Sequence, residues 1–147
     1  MISVFSGACG TGKGHLVWSI AKRLAGERAV LSRVVVLSDV IRDLREAWGT
    51  HESGPSEAQR LAKYRSPEFL TVDEVSRHAF FGQPQQHLYD LIAWREERQK
   101  PTILTTNDRG EELVALLGPA ISSRAAGWRG FIDFGGADYR VSYGLRR

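Results

Sequence analysis

Gly7-Ala8-Cys9-Gly10-Thr11-Gly12-Lys13-Gly14 sets the architecture of this 147-residue chain. An apolar run over residues 2–5 precedes it, and a helix-like segment over 15–24 follows it. Strand, glycine-rich loop and helix, in that order, are the context of a phosphate-binding P-loop. The glycines let successive backbone N–H groups turn inward around a polyphosphate, and the helix N-terminus adds partial positive charge. Lys13 supplies a point charge for the terminal phosphates. One position departs from the pattern. A Ser or Thr normally follows the lysine as a magnesium ligand, and here Gly14 stands in its place. The loop therefore argues for nucleotide binding and leaves hydrolysis open.

Apolar runs alternate with helical patterns through the rest of the chain. Strands are expected over 2–5, 33–37, 69–72, 102–105 and 131–134, the second dense in valine as a buried parallel strand should be. The first helix is expected over 12–25, with Gly26 as a left-handed stop. The next runs from a cap at Ser38 or Asp39 to Trp48. Residues 49–55 read as a loop, and Ser56 with Gln59 forms a capping box opening a short helix to about Tyr64, which Ser66-Pro67 breaks. A long helix over 85–99 has apolar positions at Leu88, Leu91, Ile92 and Trp94. A helix over 111–117 is broken at Gly118-Pro119 and followed by another over 121–126. This alternation predicts an α/β fold with a five-stranded, mainly parallel sheet covered on both faces. Such sheets bind ligands at the carboxyl ends of their strands. The glycine loop, Asp73-Glu74 and Asn107 all fall at those ends.

Composition bounds the alternatives. Apolar residues make up 42 % and charged residues 25 %, the profile of one globular domain over 1–147. No apolar run approaches the roughly 20 residues of a membrane span, and Met1 leads into a strand without a basic leader, so a cytoplasmic protein with no membrane contact is expected. The net charge of +3 permits nucleic-acid contact without requiring it. A single cysteine excludes an internal disulfide and a multi-cysteine zinc site, and Cys9 reads as a spacer in a tight turn. His15, His51, His78 and His87 lack metal-ligand spacing.

Asp73-Glu74 closes an apolar strand. A nucleotide-bound magnesium needs a carboxylate nearby, and an attacking water needs another to orient or deprotonate it. Asp73 is the metal-side candidate and Glu74 the base. Asn107, at the end of the fourth strand, could hold the water or sense the terminal phosphate; by itself it reads first as an Asx turn, and the set around it favours the functional role. Arginine suits charge on a transferring phosphate, yet position alone does not lift Arg124 or Arg140 above the chain's other arginines.

Resemblance does. The chain resembles the DnaC/IstB-like AAA+ ATPases, the bacterial helicase loaders and their transposition-helper relatives. The matching segments are Phe5-Ser6-Gly7…Gly10-Thr11-Gly12-Lys13…His15-Leu16, Val35-Val36-Leu37-Ser38-Asp39-Val40 and Phe69-Leu70-Thr71-Val72-Asp73-Glu74-Val75. Pro101-Thr102-Ile103-Leu104-Thr105-Thr106-Asn107, Leu116-Leu117-Gly118…Ile121-Ser122-Ser123-Arg124 and Phe134…Asp138-Tyr139-Arg140 complete them. The resemblance implies a P-loop NTPase of the AAA+ type, a three-layer sandwich with no separate helical lid. It implies ATP or ADP and Mg2+ as cofactors. Gly7, Ala8, Cys9, Gly10, Thr11, Gly12, Lys13, Gly14 and His15 would then form Walker A and its flank, Asp73 and Glu74 Walker B, and Asn107 sensor 1. Arg124 would be the arginine finger that reaches a neighbouring subunit's nucleotide, and Arg140 a sensor-2-like residue. The segment 38–64 would be the family's extra helical element on a single-strand DNA path, with Trp48 stacking on bases and Arg42 and Arg45 on phosphates; a buried Trp on an amphipathic helix is the plainer reading of Trp48, and Phe80-Phe81 is a weaker stacking candidate that reads first as packing. The partners implied are further copies of the chain in a spiral or ring, single-strand DNA, and a replicative helicase or a transposase.

Two departures qualify this reading. Gly14 removes the magnesium-ligand hydroxyl, so magnesium is expected to be held by Asp73 through water, with weak hydrolysis. Met1 leads straight into the first strand, so the loaders' N-terminal partner-binding domain is expected to be missing: partner binding sits elsewhere, a start lies upstream, or the core serves another job. A non-hydrolysing nucleotide-gated adaptor is the alternative that Gly14 favours. A small P-loop kinase would need an arginine-bearing lid and an acceptor-binding insertion, and no segment suits either.

Overall fold

The computed structural model describes residues 1–49, 54–75, 83–127 and 130–144. Its strands are β1 (Ile2–Gly7), β2 (Ser32–Val36), β3 (Phe69–Asp73), β4 (Thr102–Thr106) and β5 (Phe131–Phe134). The helices are α1 (Lys13–Arg28), α2 (Leu37–Gly49), α3 (Glu57–Arg65), α4 (Gln83–Glu97), α5 (Gly110–Gly127) and α6 (Tyr139–Gly144). The strands form one sheet in the order β2-β3-β4-β1-β5, and every pairing is parallel.

Side chains alternate across a strand, and that alternation divides the core in two. Ile2, Val4, Leu70, Val72 and Leu104 point to one face, where Val40, Leu88, Leu91, Ile92 and Leu117 from the helices meet them. Phe5, Phe69 and Ile103 point to the other, where Val17 and Ala21 of α1 pack. The three-layer α/β sandwich expected from the alternation of runs is the one observed. Among the described residues, no helix is long and apolar enough to cross a membrane.

The capping box forms as the sequence predicts. The Gln59 N–H donates to Ser56 Oγ at 3.3 Å, and the Ser56 N–H donates to Gln59 Oε1 at 2.8 Å. Gly118 (φ 72°, ψ 165°) breaks α5 as expected. Other expectations need correction. Gly26 does not stop α1, which continues to Arg28 and ends at Ala29 in the left-handed region (φ 52°). The extra turn is favoured by an Arg23–Glu27 pair at 2.9 Å and by Arg28 near the negative end of the helix dipole. Ser38 and Asp39 do not cap α2; β2 runs directly into the helix at Leu37, and both lie in its first turn. The β2 valines are half-buried, because β2 is an edge strand. Helix α6 was not expected, being six residues without a clear apolar period.

Trp94 is half-buried under the guanidinium of Arg98, 4.1 Å from its ring centroid, with Arg65 and Lys100 beside it. Its neighbour Arg95 is fully buried. Arg95 donates to Thr102 Oγ1 (2.8 Å) and to the carbonyls of Pro67 (2.8 Å), Pro101 (2.9 Å) and Tyr64 (3.2 Å). Burial pushes its pKa down to about 10, which leaves it charged at neutral pH. One cation thus ties the end of α3 to the starts of β3 and β4. Arg95→Met should leave those carbonyls unpaired and lower unfolding free energy by about 3 kcal/mol in urea titrations.

Asp43 joins α2 to α3 by accepting from Arg60 (2.7 Å), Lys63 (3.1 Å) and the Tyr64 hydroxyl (2.9 Å). Burial alone would raise its pKa, but these donated bonds outweigh it and hold the carboxyl below the usual 3.8. A depressed carboxyl stabilises the fold above its unfolded pKa, and that share is lost as pH falls through the folded value. Asp43→Asn should therefore lower the neutral-pH urea midpoint and flatten the decline of stability below pH 4.

Candidate nucleotide site

The C-terminal end of β1 runs through Gly7 into the glycine loop, and Lys13 opens α1. Gly12 sits in the left-handed region (φ 93°) as the N-cap of α1. At Gly10 (φ 75°) any Cβ would collide with the Asp138 carboxylate. Both positions require glycine for backbone reasons. The Tyr139 N–H donates to the Gly10 carbonyl at 3.0 Å, so α6 docks on the loop.

Lys13 is buried, and its ammonium donates to Gly7 O (2.6 Å), Ala8 O (2.8 Å) and Asn107 Oδ1 (2.9 Å). Burial lowers its pKa. Cys9 and Asp73 pull the other way, while repulsion from Arg109 and Arg140 adds to the lowering. The Lys13–Asn107 bond joins the head of α1 to the residue just after β4.

Asp73 ends β3 on the α1 side of the sheet. Its Oδ1 accepts from the Thr105 hydroxyl, and its Oδ2 lies 3.7 Å from where a Gly14 Cβ would stand. Glu74 follows, exposed, with its backbone in the left-handed region (φ 56°). These groups line a cleft of about 1010 Å³.

The cleft brings together Cys9, Gly10, Thr11, Gly12, Lys13, Gly14, His15, Asp73, Glu74, Asn107 and Arg140. Gly7 and Ala8 contribute carbonyls to Lys13. Arg124 is elsewhere, near the end of α5. It is ion-paired with Glu96 of α4 and lies 5.4 Å from the Tyr89 ring centroid. Arg42 and Arg45 are exposed on α2, and Arg42 pairs with Asp39 at 2.7 Å. Trp48 lies on α2, but its side chain falls outside the described residues, as do His51, His78 and Phe80-Phe81.

Sequence reasoning missed Arg109. Its guanidinium donates to Phe134 O at 2.6 Å and pairs with Asp133 at 3.1 Å, tying the turn after β4 to the end of β5 behind the glycine loop. Its place two residues after Asn107 was the available signal. Tyr139, which lines the cleft beside Arg140, was also missed as a site residue.

No protein-family model matches the chain. The replicative helicase loader DnaC of Escherichia coli K12 is 28 % identical over 122 residues, covering 82 % of this chain and 48 % of that protein. A crystal structure of the DnaC helicase loader superposes with a TM-score of 0.75 at 19 % identity, covering 91 % of this chain and 78 % of that one. The chain is thus similar in sequence to DnaC and shares the fold of that loader. The replication initiator DnaA bound to AMPPCP and single-stranded DNA shares the same fold. Its TM-score is 0.73 at 19 % identity, over 92 % of this chain and 40 % of that one. The chain spans about half the length of the curated relatives it matches.

The described residues include no cluster of three or more metal-ligating side chains. One carboxylate facing the phosphate loop is what Mg2+ asks of a nucleotide site, since it keeps waters and takes phosphate oxygens. The residues present therefore fit the ion, which Asp73 would hold. A Cβ at position 14 would make only ordinary contact with Asp73. Gly14→Thr should fold normally, tighten Mg2+-dependent nucleotide binding and raise ATP turnover several-fold. No rise over wild type would mean that the glycine does not limit catalysis.

Proposed function

We propose that this chain binds ATP and ADP with Mg2+ in the cleft and acts in DNA replication as a helicase-loader-type AAA+ protein with slow ATP hydrolysis. The observation that carries the reading is the meeting of Lys13, Asp73, Glu74 and Asn107 at one edge of the sheet. The sequence likeness to a replicative helicase loader and the fold shared with an AMPPCP-bound initiator support it.

In this reading the loop N–H groups and Lys13 bind the polyphosphate. Lys13 exchanges its carbonyl partners for phosphate oxygens. Asp73 holds magnesium, with water where Gly14 offers no hydroxyl; bound magnesium supplies charge neutralisation on the phosphates. Glu74 orients the attacking water and takes its proton, Asn107 fixes that water against the terminal phosphate, and Arg140 faces the phosphates from α6. Arg124 does not line its own chain's cleft, which suits an arginine that completes a neighbour's site within a spiral or ring. To do so it must leave Glu96.

Assembly would take place on single-strand DNA, on a replicative helicase, or on both. Arg42, Arg45 and Trp48 on α2 are the DNA contacts proposed. The Arg42–Asp39 pair is exposed, and exposed pairs contribute little, so a phosphate can replace the carboxylate.

Gly14 favours a second reading, a nucleotide-gated adaptor that does not hydrolyse ATP, in replication or as an ATP-binding helper of transposition. Single-turnover hydrolysis at high protein concentration separates the two: phosphate release that rises with assembly supports the ATPase, and none supports the adaptor. Arg124→Ala should cut turnover on the order of 1000-fold and should poison wild-type chains when mixed with them. Strictly additive activity on mixing would sink the trans role. Chromatographic mass should rise with ATP and a single-strand oligonucleotide.

A further inference from the structure

Thr105 and Thr106 end β4 as neighbours with opposite faces. Thr106 serves the turn, its hydroxyl oxygen accepting from the Asp108 N–H at 3.1 Å. Thr105 faces the acidic pair. It is 1 % exposed, and its hydroxyl donates its one proton to Asp73 Oδ1 while the same oxygen accepts from the Glu74 N–H at 3.1 Å. Its carbonyl accepts from the Val75 N–H at 2.8 Å. One threonine therefore touches all three residues at the end of β3.

That contact matters because of two features. Glu74 has a left-handed backbone (φ 56°), a conformation a non-glycine residue keeps only when its surroundings hold it there. The bonds to the Glu74 and Val75 N–H groups are that hold. Asp73, in turn, has Oδ1 committed to Thr105, which leaves Oδ2 toward Gly14 and the head of α1. With glycine at 14, the position after Lys13 offers no hydroxyl to a magnesium ion, so the orientation of the Asp73 carboxylate carries more of the task.

We infer that Thr105 is a positioning residue for Mg2+·nucleotide binding: its hydroxyl aims Asp73 Oδ2 at the metal and fixes the turn that presents Glu74. The inference rests on the reading of Asp73 and Glu74 as the metal-side and base carboxylates. It assigns Thr105 no contact with nucleotide.

The test is a Mg2+ titration of fluorescent ATP-analogue binding to the full chain, with affinity in EDTA as reference. Thr105→Val keeps the shape and removes the hydroxyl. It should raise the half-saturating Mg2+ concentration about tenfold with EDTA affinity within about twofold of wild type, and Thr105→Ser should restore the wild-type value. If melting shows that the valine variant does not fold, Thr105→Ala carries the same comparison. Asp73→Asn reports on the underlying reading. If it leaves the Mg2+ dependence unchanged, the assignment of Asp73 fails and the inference falls with it. If it abolishes that dependence while Thr105→Val behaves as wild type, the role of Thr105 alone is overturned. An equal loss in EDTA and in Mg2+ would also overturn it, since it marks a structural role.

Discussion

Parallel pairing in a common register holds the cleft together. Thr102 stands opposite both Ile2 of β1 and Leu70 of β3, so the three central strands end nearly level. Because side chains alternate, Asp73 and Thr105 then share the face that α1 covers, where Asn107 just beyond β4 meets Lys13, while Val72 and Leu104 point into the larger core. A slip of one residue in β3 would turn Asp73 into that core and Val72 toward the phosphate loop. The apolar side chains that forbid the slip thus set the acid's direction as firmly as any hydrogen bond made to it.

The opposite edge of the sheet carries a different constraint. Arg95 is fully buried, and its described partners are a hydroxyl and backbone carbonyls, with no carboxylate among them. Such a cation is costly to bury, and it is tolerated because carbonyls from three segments converge on it. Together with Asp43, which joins α2 to α3, it makes the helical element between β2 and β3 a braced attachment of the sheet.

Strand order of chemistry was legible in the sequence, and side-chain partnership was not. The glycine loop, Asp73-Glu74 and Asn107 could be placed at strand ends because apolar runs of strand length precede each of them. Arg140 was placed through a resemblance, and it does line the cleft. Thr105 escaped notice because a threonine in a strand reads as β-propensity, whatever its hydroxyl does. Arg95 escaped because its partners are backbone atoms, which leave no trace in residue identity. Arg109 escaped because arginines are abundant and its partners lie on β5. Gly26 misled because a glycine can stop a helix without being obliged to, and the Arg23–Glu27 pair carries α1 past it. Trp94 misled because an aromatic residue at a core-like position can instead be covered by cations.

Arg124 and the cleft lie at separate places on one chain, and in the proposed reading this gives every assembly a polarity. An arginine offered at one place and a cleft at another make a heterologous, head-to-tail contact. An open array of n chains then has unlike ends. At one end a cleft receives no arginine, and at the other an arginine finds no cleft, so n−1 sites are complete. Addition and loss of chains need not occur equally at the two ends, and the direction in which such an array grows or shrinks is written into the protomer.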